Sequence, residues 1–190
     1  MGMFLLILSA IVVGAVLFAI GAYNGLVSKR VAVDNAWSQI DVQLKRRHDL
    51  IPNLVETVKG YASHESSTLE AVVAARNSAV AVAGHGAAAQ SQAENMLSST
   101  LGRLFALQEA YPDLKANTNF QSLQEELSST ENRIGFARQH YNDSVGLYET
   151  ARQSFPANLI ANSFRFEPRE YFELDEAEKA AVKIVPKVQF

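Results

Sequence analysis

Residues 120–155 hold the feature that most restricts the fold. Phe120, Leu123, Leu127, Thr130, Ile134, Ala137, Tyr141, Ser144, Tyr148, Ala151 and Phe155 follow one another at steps of three and four without a slip. Such a pattern marks the seam of a helix packed along another helix for its whole length. A helix of that length reaches about 54 Å. A partner of similar length is needed to cover it, and residues 23–61 supply one, about 55–60 Å long if unbroken. Val33, Trp37, Ile40, Leu44, Arg47, Ile51, Leu54, Val58 and Tyr61 keep the same alternation. Two long matched helices separated by a helical excursion pack side by side, so the chain reads as an all-α antiparallel bundle of about four helices.

Arg47 stands on that second seam, where a buried guanidinium needs a carboxylate or several carbonyls. An acid on a facing helix is the expected partner, and Glu131 is placed to serve Arg47 or Arg76. Pro52 lies inside the periodic stretch. It removes an N–H and leaves the carbonyl of His48 without its usual partner. A kink, or a water or side chain filling the gap, is expected there. Trp37, the single tryptophan, reads as core packing.

Upstream, residues 3–23 carry no charged side chain. At about 1.5 Å per residue they cover roughly 30 Å, enough to cross a bilayer core. No breaker separates them from the long helix. A cleaved signal peptide is the competing reading, supported by the small residues Ala19 and Gly21. The missing basic n-region and the length of the run favour a retained anchor. Lys29, Arg30, Lys45, Arg46 and Arg47 follow the span, which places the bundle in the cytoplasm and the N-terminus outside.

Between the long helices, 63–82 reads as a helix with Leu69, Val72, Val73, Arg76 and Val80 on one face. Residues 83–88 read as a Gly-rich loop. A further helix from 89 is stopped by Tyr111-Pro112. The boundaries are then 1–23 for the anchor, 24–156 for the bundle, and 157–190 for a tail with a short helix over 175–181 and an extended end. That tail packs on the bundle or adds to a neighbour.

Chemistry is harder to find. The formal net charge of −3 gives no case for nucleic-acid binding, and the chain has no cysteine. Neither a G-x-G-x-x-G nor a Walker loop is present. None of His48, His64, His85 and His140 has a Glu three residues before it, so the paired Glu-x-x-His elements of a di-iron bundle are missing. No catalytic, metal or cofactor residues are therefore assigned.

NAWSQIDVQLKRRHDLIPNLVETVKGYASHE over 35–65, with AYPDLKAN at 110–117, NFQSLQEEL at 119–127 and TENRI at 130–134, resembles the LemA family of bacterial membrane proteins. Tyr148-Glu149 departs from it, where the family often has Tyr-Asn. The resemblance implies a single N-terminal span in the inner membrane and a soluble antiparallel bundle, without a known enzymatic activity. It also implies company with membrane zinc peptidases and other envelope proteins, and kinship to a protein of magnetosome formation. Membrane lipid through 3–23 and further copies of the chain are the expected partners. Carried over as a fold or interaction signature, a buried polar zipper beside the proline, are Trp37, Asp41, Arg46, Arg47, Asp49, Pro52, Asn53, Arg76, Glu131, Asn132 and Tyr141.

Overall fold

The computed structural model describes residues 1–173, and every regular element among them is helical. The helices are α1 (Gly2–Lys59), α2 (Ser66–Ala81), α3 (Ala87–Ala106), α4 (Pro112–Lys115), α5 (Thr118–Gln153) and α6 (Ala157–Ser163). The expected short helix and extended end of the tail lie outside the described residues.

The two long seams hold. On α5 every seam residue from Phe120 to Ala151 is buried or half-buried, and only Phe155, past the helix end, is exposed. On α1 the run from Val33 to Val58 is likewise covered. Tyr61 lies beyond the last turn, where its hydroxyl accepts the amide of Asn117 at 2.8 Å. The span and the first bundle helix are one helix, because no glycine pair or proline interrupts 2–51.

The second helix differs from expectation. Its inner face is Leu69, Val72, Ala75 and Ala79, whereas Val73 and Val80 are exposed. Alanines let α2 approach α3 closely enough for the Gln90 amide to donate to the Ala79 carbonyl at 3.1 Å. α3 stops at Ala106, five residues before the expected end, and gives way to a single 3₁₀ turn at Leu107–Glu109. Pro112 then opens α4 at its first turn, where its missing N–H costs nothing. The loop before α3 follows the reading: Gly84 and Gly86 both have positive φ, at 82° and 103°.

The residues group into two compact units, each fed by α1 and α5. One comprises Met1–Gln39 and Gln139–Arg169. Here α1 and α5 run antiparallel, with Trp37 set edge-on to Tyr141 at 5.3 Å. A strap after α6 closes over them. The Tyr148 hydroxyl donates to the Glu167 carbonyl at 2.7 Å, and Arg169 pairs with Asp34 at 2.7 Å. Phe166 is buried beneath the Arg30 guanidinium and beside Tyr23.

The other unit comprises Ile40–Arg138 and the described residues from Glu170 onward. Its apolar core joins Ile51, Leu54 and Val58 of α1 to Leu69 and Val72 of α2, Leu97, Leu101 and Leu104 of α3, Leu114, and Phe120 and Leu127 of α5. Glu170 reaches the α2–α3 loop and accepts the Ala88 N–H at 3.3 Å.

Candidate functional site: a buried charge network in the second unit

One turn before Pro52, α1 presents two consecutive polar side chains to the interior. Arg47 is 3% exposed, and so is Glu94 of α3 opposite it. The guanidinium spreads over three partners: Glu94 Oε2 at 3.4 Å, Glu131 Oε2 of α5 at 3.2 Å and Ser98 Oγ at 2.6 Å. Glu94 uses its other oxygen twice, for His48 Nε2 at 2.8 Å and for the Gln90 amide at 2.8 Å. A carboxylate only accepts, so Nε2 of His48 carries the proton in this contact. Glu94 therefore joins both polar residues of α1 to α3, and Arg47 extends the network to α5. Each buried charge is matched by opposite charge or a hydrogen bond, the condition for keeping it in the interior.

Arg76 supplies what the proline took away. Its Nε donates to the His48 carbonyl at 3.3 Å, the acceptor that a residue other than proline at 52 would have satisfied. The expected filling of the gap at Pro52 by a side chain is thus observed.

Two clefts flank the network. One, of about 360 Å³, is lined by Arg47, Ser98, Leu101, Phe105, Gln124, Glu131 and Asn132. The other, of about 260 Å³, has Asp41, Lys45, His48, Asp49, Arg76 and Gln90 on its walls. Among the described residues no group of three or more His, Asp or Glu side chains is placed to hold a metal ion.

The expected signature residues do not form one buried zipper. Arg47, Arg76 and Glu131 meet around the proline. Asp41, Arg46, Asp49, Asn53 and Asn132 are exposed, because they occupy α1 and α5 positions off the two seams. Arg46 pairs with Glu126 at 2.6 Å, and Lys45 with Asp49 at 2.5 Å. The Lys45 hydrogen bond holds the Asp49 carboxyl below its usual range, against the opposing effect of desolvation. Trp37 and Tyr141 belong to the other unit. The sequence reading missed Glu94, the centre of the network, together with Gln90 and Ser98. The signal was present: Gln90 and Glu94 precede Leu97, Leu101 and Leu104 at steps of four and three, which puts a carboxylate on an apolar seam.

The sequence model of the LemA family matches residues 36–190. This chain belongs to the LemA family. The match begins one residue before Trp37 and includes the charge network. Magnetosome protein MamQ of Magnetospirillum gryphiswaldense is 26% identical, with 79% of this chain and 64% of that protein covered. Magnetosome protein MamQ 2 of Paramagnetospirillum magneticum is 25% identical, covering 80% of this chain and 64% of that protein. Protein LemA of Metamycoplasma hominis is 24% identical over 86% of this chain and 74% of its own length. The chain thus spans somewhat under two thirds of the MamQ proteins it matches. As in its sequence, this LemA-family chain carries a helix long and apolar enough to cross a membrane, with none of the apolar window buried.

Proposed function

We propose that this protein is a non-enzymatic, membrane-anchored helical scaffold that self-associates and organises or recruits other membrane proteins. The observation that carries the reading is α1 itself. One helix holds both an exposed apolar segment and the seam of a packed bundle, so the bundle is fixed to its anchor without a flexible linker. The polar groups of the network are consumed by one another, which suits a rigid body better than a reacting centre. Similarity to proteins named for the magnetosome supports an organising role. The basic residues Lys29 and Arg30 after the span support a cytoplasmic bundle at the inner membrane.

A second reading is an accessory subunit of a membrane protein quality-control complex that includes a zinc peptidase. It is favoured by Leu147, exposed at 63% on α5, an apolar side chain open to a partner.

Affinity purification of the tagged full chain in mild detergent separates the two readings. Assemblies containing several copies of the chain are expected from the scaffold. A stoichiometric complex with a peptidase and a single copy of the chain would replace it with the second reading. Orientation is read by a single cysteine at Ser66, which should resist a membrane-impermeant thiol reagent in intact spheroplasts and react after lysis. Reaction before lysis would place the bundle outside.

A further inference from the structure

The segment after α5 in the first unit exposes three large apolar side chains. Phe155 is 79% exposed, Leu159 58% and Phe164 61%. They lie on the turn after α5, on α6, and on the residue that follows it. Leu147 stands on the side of a long helix, but these three lie where the chain turns after α5.

Three observations set the height of that turn. Trp37 and Tyr141 are in ring contact on antiparallel helices. Fourteen residues separate Trp37 from Tyr23, where the apolar run read over 3–23 ends, and fourteen separate Tyr141 from Phe155. At about 1.5 Å per residue α1 travels roughly 21 Å and α5 roughly 18 Å to its last residue, Gln153, two residues before Phe155, so the two ends reach a similar level. Independently, the Phe164 ring lies 4.9 Å from the Tyr23 ring. Finally, residues 1–18 of α1 are all exposed, and cover on the helix first appears at Ala19, inside the apolar run.

The chemistry at that level is mixed. Arg165, held at a positive φ of 54° between Phe164 and Phe166, is exposed and has no ion pair among the described residues. Lys29 and Arg30 lie nearly two turns along α1 from Tyr23. Aromatic rings beside basic side chains, at the height where an apolar helix leaves the bilayer, match the headgroup layer in both polarity and charge.

We propose that the α5–α6 elbow is a second membrane contact. Phe155, Leu159 and Phe164 seat in the headgroup layer of the bilayer that α1 enters, and Arg165 faces its anionic lipids. The elbow then fixes how the unit stands on the membrane, which a single helix cannot do. The inference rests on the reading of 3–23 as a membrane span.

The test uses the full chain, which has no native cysteine. Single cysteines at Phe155, Leu159 or Phe164 are spin-labelled and reconstituted in phosphatidylcholine vesicles containing a quarter phosphatidylglycerol. Collision with oxygen and with a water-soluble nickel chelate is then compared. Labels at Val12 and Ser38 report the bilayer core and the aqueous unit. The three elbow labels should show an oxygen-to-nickel ratio several-fold above that at Ser38 and below that at Val12. Ratios equal to that at Ser38, with Val12 in lipid, would overturn the elbow contact and leave the span standing. A water-like Val12 would overturn the span itself, and the elbow with it. Protection accompanied by dipolar broadening that vanishes on dilution with unlabelled chain would show that a second copy covers the face, and would also overturn the proposal.

Discussion

Arg47 shows how much can depend on one side chain. Truncation to alanine leaves Glu94 and Glu131 facing a void, with Glu94 still buried and held only by His48 and Gln90. Arg47→Ala should lower the unfolding free energy by about 3–5 kcal/mol, the usual consequence of stranding a buried charge. Chemical denaturation of the detergent-solubilised chain measures it. Replacing Glu94 as well should recover part of the loss. Glu149 carries a different prediction. Burial pushes its carboxyl up, but Arg152, the Arg169 N–H and the Gln153 amide outweigh that and hold it below its ordinary value of 4.5. A depressed folded-state pKa stabilises above the unfolded value, and the contribution fades as pH falls through the folded one. Glu149→Gln should therefore lower the melting temperature at pH 7, and the gap to the parent should close as the pH falls below 4. This is also where the sequence departs from the Tyr-Asn seen often in the family. The glutamate accepts the Arg169 N–H at 2.9 Å and forms a salt bridge to Arg152 at 2.7 Å.

At the scale of elements, the proline in α1 and the arginine on α2 act as a pair. Arg76→Ala should cost about 1–2 kcal/mol where Pro52 is present, because the His48 carbonyl then loses its donor. In a Pro52→Ala background the restored backbone N–H takes over, and the cost of losing Arg76 should shrink. A double-mutant cycle on stability reads the difference directly. The long helices were legible from sequence because strict periodicity over many turns leaves one solution, and the seam positions of α1 and α5 are the covered ones. α2 was not legible in the same way. Where alanine alternates with valine, helix contact follows the small residues that allow close approach, so Ala75 and Ala79 replaced Val73 and Val80 on the inner face. The charge network was half legible. Arg47, Pro52, Arg76 and Glu131 announced themselves by breaking the apolar pattern of long seams. Glu94 broke the pattern of a shorter one, just after a glycine loop, where the register was harder to fix.

For the whole molecule, the bare apolar stretch of α1 decides how the protein behaves in solution. Full-length chain should sediment with membranes and resist alkaline carbonate wash, and deletion of 1–23 should release the remainder into the soluble fraction with its helical signal kept. Circular dichroism and fractionation check both parts. A deletion variant that still binds vesicles containing phosphatidylglycerol would be using surfaces outside the span.

The unbroken course of α1 has a mechanical consequence. From Tyr23 to Gln39, within the first unit, the helix continues for 16 residues beyond the apolar run, about 24 Å. Helices respond to bilayer thickness by tilting. The packed stretch of α1 in the first unit, Leu26 to Ala36, is thus an uninterrupted continuation of the exposed apolar run, so any tilt of that run turns this stretch with it.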